Sequence, residues 1–193
     1  MTDKAFWETK WQQGQTGWDL KGVSPAIKAY VDQLTDKNLR ILIPGCGNAY
    51  EAEYLLQQGF SQVSVIDIAP TLTQQISAKL KEYITADKLH VFCNDFFEHK
   101  AQYDLIIEQT FFCAINPNLR SDYAKHMHEL LSPNGKLVGL LFNTNFDDGP
   151  PFGGNTTEYE TYFKPYFKHI SFMPSLNSIT PRAGKEVWIE IEK

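Results

Sequence analysis

Between Leu39 and Phe60 the chain reads LRILIPGCGNAYEAEYLLQQGF. A short apolar run enters a turn of proline and glycines, and residues at helical spacing follow. A strand, a glycine turn and a helix commit the chain to a β-α unit whose next strand lies parallel to the first. The rest of the sequence repeats that rhythm. Leu39–Ile43, Val63–Asp67, Leu89–Cys93, Tyr103–Glu108 and Lys136–Phe142 read as strands, the last after the turn Pro133–Asn134–Gly135. Helices are expected over Tyr50–Gln58, Leu72–Ile84 and Asp122–Leu131. The strands are apolar runs without clean two-residue alternation, which predicts a mostly parallel, doubly wound α/β sheet covered on both faces.

The ends depart from this pattern. Ser24–Pro25 opens a helix in SPAIKAYVDQL, with serine as cap and proline at its first position. A helix over Glu158–Phe167 leads to HISFMPSLNSI, a loop TPRAGKE and the segment VWIEIEK. Val187, Ile189 and Ile191 alternate there with Trp188, Glu190 and Glu192, so the last two strands are expected as an antiparallel hairpin at the sheet edge. A chain of 193 residues is read as a single domain.

Composition narrows the partners. A net charge of −5 without a Lys/Arg cluster argues against a nucleic-acid surface. No apolar run reaches membrane-spanning length, and MTDKAFWETKW lacks a signal-peptide core. Cys46, Cys93 and Cys113 are odd in number and widely spaced, as free thiols of a reducing compartment would be. A cytoplasmic protein with a small-molecule partner, no membrane and no nucleic acid is the expectation.

The glycine turn raises the question of which nucleotide it would face. Gly45 and Gly47 allow a tight turn and close backbone approach, but Tyr50 stands where a dinucleotide fingerprint has its third glycine. No GxxxxGK[ST] loop follows a strand either. Asp67, ending the second strand, suits both hydroxyls of a ribose. Asp95, after the third strand, suits an adenine edge, with Phe96 packing on the ring. Two carboxylates near a glycine turn favour an adenosine without phosphate, such as S-adenosyl-L-methionine. Each feature has a plainer reading as a structural turn or a turn aspartate; their strand-ordered combination favours the ligand.

At these residues the sequence resembles the thiopurine S-methyltransferase superfamily, and within it the thiol, thiocyanate and halide methyltransferases. The resemblance runs through FWETKWQQGQTGWDLKGVSPAI, LIPGCGNAYEAEYL, VIDIAP, NDFF, YDLIIEQTFFCAINPNLRSDYAKHM, LLSPNGKLVGLLF, GPPFGG and ITPRAGKEVW. It implies a Rossmann-like, seven-stranded class I methyltransferase sheet, with residues 1–37 as a helical lid and 38–193 as the catalytic core. It also implies that Trp7, Trp11 and Trp18 enclose the sulfonium and the acceptor pocket. Gly45 becomes a contact of the donor loop, Asp67 the ribose ligand, and Asp95 with Phe96 the adenine contacts. Gln109 falls where relatives often carry tyrosine or arginine near the donor. Tyr159 resembles a pocket tyrosine of the halide and thiol branch.

The chemistry expected of such a site is in-line methyl transfer, leaving S-adenosyl-L-homocysteine and needing no metal. Aromatic faces attract a cation and exclude water, so tryptophans suit the work. The histidines His90, His99, His126, His128 and His169 form no metal pattern and read as surface or supporting residues. Cys113 either faces the cleft or fills the core, and Cys46 is read as a small side chain beside the donor rather than a nucleophile. With no evident base, and no catalytic residue assigned, a thiol near its ordinary pKa of about 8.5, or a halide or thiocyanate, fits better than a hydroxyl. Arg182 offers positive charge at the pocket mouth, or stands as a solvated loop charge. The same donor site would also serve oxygen, nitrogen, selenium or tellurium acceptors, or a non-catalytic binder.

Overall fold

The computed structural model describes residues 2–193. Its strands are β1 (Ile41–Pro44), β2 (Val63–Asp67), β3 (Leu89–Cys93), β4 (Tyr103–Gln109), β5 (Leu131–Phe142), β6 (His169–Pro174) and β7 (Glu186–Glu192). They form one sheet in the order β3-β2-β1-β4-β5-β7-β6. The first five run parallel, and β7 lies antiparallel between β5 and β6. The helices are α1 (Lys4–Gln12), α2 (Pro25–Val31), α3 (Tyr50–Gln57), α4 (Pro70–Lys79), α5 (Lys81–Thr85), α6 (Arg120–Leu130) and α7 (Thr156–Phe163).

Strand alternation explains why both faces are covered. Ile41 and Ile43 of β1 join one core with Leu55 of α3 and Leu72 of α4. Leu42, between them, points to the other core, with Tyr123 and Met127 of α6. In β4, Leu105 and Ile107 take the first face and Ile106 the second. These side chains are at most 2% exposed, and full burial of each is worth about 1.5–3 kcal/mol. A sheet apolar on both sides is thereby fixed between helix layers. Strand order reverses between β1 and β4, so the crevice for a ligand opens beyond the carboxyl ends of those two strands.

The expected elements are present, with local differences. The first strand starts at Ile41, because Arg40 turns its N–H and guanidinium to Asp104. The helix expected over Leu72–Ile84 begins at Pro70 and breaks at Leu80, where φ is −107° and ψ 27°. The turn Pro133–Asn134–Gly135 lies inside β5, where pairing to β4 jumps from Tyr103↔Leu131 to Leu105↔Lys136. The last helix runs Thr156–Phe163 and ends short of Phe167; the Asn155 side chain caps it by accepting from the Glu158 N–H. Ser24 stands at the start of α2, but its hydroxyl makes no capping bond; its N–H donates instead to buried Glu51 at 2.9 Å. His99 is not a surface residue. It is 7% exposed and its Nε2 meets the Tyr103 hydroxyl at 2.7 Å.

Candidate active site

A cavity of about 1000 Å³ opens at the carboxyl ends of β1 to β4. Its floor begins with the turn after β1. Gly45 has φ +55°, and a Cβ there would lie 2.3 Å from a ring carbon of Phe111. Only glycine lets that aromatic wall pack on the turn. Ala49, before α3, is also left-handed at φ 56°, a strain of about 1–2 kcal/mol for a residue with a Cβ.

Asp67 leaves the end of β2 into the cavity, its Oδ1 accepting from the Ala69 N–H at 3.0 Å. Burial pushes its carboxyl up to about 6. Asp95 follows β3 and accepts from the Phe97 N–H at 2.9 Å, opening the short turn Phe96–Glu98. Phe96 lines the cavity with one edge while packing against Phe111 and His126 at 5.1 and 4.8 Å between ring centres. Gln109 ends β4 on the cavity wall, and its Oε1 is buried without a hydrogen-bond partner.

Glu108, one residue earlier, is fully buried. It accepts from the N–H groups of Phe111 and Phe112 at 2.6 and 3.0 Å and from the Tyr123 hydroxyl. These bonds fold the segment after β4 so that Thr110, Phe111 and Cys113 face the cavity.

The N-terminal segment covers one side. Trp7 and Trp11 share a face of α1, and both meet Trp18 edge-on, at 5.5 and 5.9 Å. Between them Glu8 accepts from the backbone N–H and the hydroxyl of Thr71, at the start of α4. Those bonds hold its carboxyl below the usual range. Arg182 clasps the segment from the other side, donating to the Trp18 carbonyl at 3.0 Å while pairing with Glu186 at 3.4 Å and lying over the Phe142 ring. It is therefore an anchored residue, not a solvated loop charge.

Trp7, Trp11, Trp18, Gly45, Asp67, Asp95, Phe96, Gln109 and Arg182 thus meet in one cavity. Tyr159 does not. It is 1% exposed in the core against Phe112, and its hydroxyl donates to the Phe142 carbonyl at 2.7 Å. The helical turn that carries it faces inward, so the reading of Tyr159 as a pocket residue is corrected. Cys46 and Cys113 line the cavity, and burial pushes both thiols up, away from the nucleophilic thiolate.

Sequence reasoning missed several contributors. Asp19 bonds Asn48 and Tyr50 across the glycine turn. Arg120 is 2% exposed and donates to the carbonyls of Phe152 and Gly153, fixing the loop whose Pro150 and Pro151 wall the cavity. A carboxylate closing an apolar strand, as in DLIIE, was a usable signal for Glu108; nothing in NLRSDY marks a buried arginine.

The donor groups suit an adenosine-bearing methyl donor. Carboxylates end adjacent strands, an acceptor at Gln109 lacks a partner, and tryptophans supply faces for a cation. Along the cavity wall Asp95, Asp67, the β1 turn and Gln109 follow one another in the sheet order β3, β2, β1 and β4.

Comparison with known proteins agrees. Residues 2–187 match the family model described as thiopurine S-methyltransferase. A probable thiol methyltransferase 2 of Arabidopsis thaliana is 34% identical, covering 93% of this chain and 81% of its own. Thiocyanate methyltransferase 1 of Brassica oleracea is 32% identical, covering 95% and 83%. Thiopurine S-methyltransferase of Vibrio cholerae is 29% identical over 100% of this chain and 99% of its own. Among solved structures, magnesium protoporphyrin IX methyltransferase of Synechocystis PCC 6803 superposes with a TM-score of 0.75 at 14% identity, covering 98% of this chain and 99% of its own. That last likeness speaks to the fold.

Proposed function

We propose that this chain, which belongs to the thiopurine S-methyltransferase family, methylates a small thiol or thiol-like anion. It is an S-adenosyl-L-methionine-dependent methyltransferase of small acceptors. Bound S-adenosyl-L-methionine supplies a methyl group made electrophilic by the sulfonium charge and leaves as S-adenosyl-L-homocysteine.

The chain's own residues have three tasks. Asp67 takes the ribose hydroxyls, and Asp95 with Phe96 takes the adenine. Trp7, Trp11 and Trp18 face the cation and exclude water, with α1 and the Trp18 segment as a lid held by Glu8 and Arg182. By contrast, α2 belongs to the core through Ile27 and Val31 and is no part of the lid expected over residues 1–37. The β4, β5 and β7 side of the cavity receives the acceptor.

The observation that carries the acceptor class is the wall on that side. Phe111, Phe142, Phe146, Pro150 and Pro151 are apolar, the Cys113 thiol is held neutral by burial, and the ionisable side chains otherwise present are Arg182 and Lys185. Such a wall favours an acceptor that arrives as an anion with a soft nucleophilic atom. Orientation behind the methyl group and removal of water then provide the acceleration. The relatives' names, which specify thiol, thiocyanate and thiopurine methylation, support the same reading.

A labelled-methyl assay over thiols, thiocyanate, iodide and thiopurines, alongside phenols and amines, tests it. Turnover with the sulfur or halide acceptors is expected; turnover with phenols or amines alone would overturn the reading. Arg182→Met is expected to raise KM for an anionic acceptor about tenfold, the scale of one charge-assisted contact. Titration calorimetry should find S-adenosyl-L-homocysteine affinity changed less than the acceptor KM.

A further inference from the structure

We propose that Asp19 binds the α-ammonium group of the donor's methionine tail. The assignment rests on the donor-site reading above and adds a residue to it.

The carboxylates on the cavity wall are Asp3, Asp19, Glu51, Asp67 and Asp95. Asp3 caps α1 through the Phe6 N–H at 2.9 Å. Glu51 is 5% exposed and takes the Ser24 N–H. Asp67 and Asp95 stand at the ends of β2 and β3, where ribose and adenine belong. Asp3 and Glu51 are given to the backbone at the starts of α1 and α2, which leaves Asp19 as the carboxylate beside the β1 turn.

Asp19 Oδ2 accepts from Asn48 Nδ2 at 3.0 Å and from the Tyr50 hydroxyl at 3.4 Å, while Oδ1 accepts from the Lys21 N–H at 2.9 Å. Asn48 and Tyr50 follow Gly45–Gly47, so the carboxylate is tethered to the β1 turn that the tail must cross. A carboxylate has about four lone-pair sites, and these bonds use three. A further donor therefore has a place. An ammonium group taken from water into this cavity needs a counter-charge, and Asp19 supplies it. Since Asp19 follows Trp18 in the chain, recognition of the tail and placement of the tryptophan are joined.

The test is titration calorimetry on the wild-type and Asp19→Asn proteins with three ligands. These are S-adenosyl-L-homocysteine, its analogue lacking the α-amino group, and 5′-methylthioadenosine, which lacks the amino-acid tail. The variant is expected to lose about tenfold or more in affinity for S-adenosyl-L-homocysteine, with 5′-methylthioadenosine unchanged and the deaminated analogue no weaker than on wild type. Equal losses for all three would assign Asp19 to holding the turn and overturn the proposal, as would no loss at all. Failure of the wild-type protein to bind any of them would overturn the donor-site reading and this assignment with it.

Discussion

Replacing Asp67 with alanine is expected to weaken S-adenosyl-L-homocysteine binding by about 100-fold or more. Two hydrogen bonds from ribose hydroxyls to a carboxylate contribute about 1.5–3 kcal/mol each, and each 1.4 kcal/mol is a decade in affinity. The ligand-free fold should suffer far less, because Asp67 is only half-buried on the cavity wall and its bond from the Ala69 N–H is a local turn contact.

The same residue gives the donor site a pH dependence. Its carboxyl is pushed up to about 6 by burial from an ordinary 3.8. Above about 6 it is ionised and accepts both hydroxyls; below, protonation withdraws an acceptor and affinity falls by up to tenfold per pH unit. The sign for stability is the reverse. A folded-state value raised above the unfolded one contributes stability present below about 3.8 and lost as pH rises through about 6. Calorimetry from pH 5 to 8 reads the binding limb, and Asp67→Ala should flatten it. Wild-type affinity in Asp67→Ala would refute the ribose assignment.

Glu108→Ala is expected to be the most damaging single change to the fold. It would leave the N–H groups of Phe111 and Phe112 and the Tyr123 hydroxyl without their acceptor. Buried unsatisfied groups cost about 1–3 kcal/mol each, so a loss of about 3–5 kcal/mol is expected. For a chain of this size that lowers Tm by about 10 °C or more. Glu108→Gln keeps an acceptor for the backbone and should be milder.

Burial raises this carboxyl from 4.5 to about 7. The stability it carries is full below about 4.5 and lost as pH rises through about 7, once the charge must form inside the core. Glu108→Gln removes that slope, so its deficit against wild type should shrink between pH 5.5 and 8.5. Urea unfolding at both values measures it. A Glu108→Ala protein melting within about 1 °C of wild type would contradict the role.

How much was legible follows from where each residue's partners lie. VSVID and LHVFC matched β2 and β3 residue for residue, because charges and turns bound both runs. Asp67 and Asp95 line the cavity for the same reason: a carboxylate at or just past the carboxyl end of a parallel strand lies at the crevice whatever the helices do. Tyr159 failed on a rotation. Tyr159 and Tyr162 share one helix and neither lines the cavity: Tyr159 packs against Phe112, and the Tyr162 hydroxyl donates to Glu158. Asp19 was missed because its partner Asn48 lies 29 residues away, across a fold that does not yet exist when the sequence is read. Glu108 depends likewise on Tyr123 from another element.

In the proposed reaction the acceptor enters already ionised and the protein supplies position, not a base. At saturating S-adenosyl-L-methionine, kcat/KM can be measured against pH for two thiols of different pKa and for thiocyanate. The expected profile rises with each thiol's own ionisation and shifts between them, while thiocyanate shows no such limb. A single rising limb at the same pH for both thiols, set by a group on the protein, would contradict it.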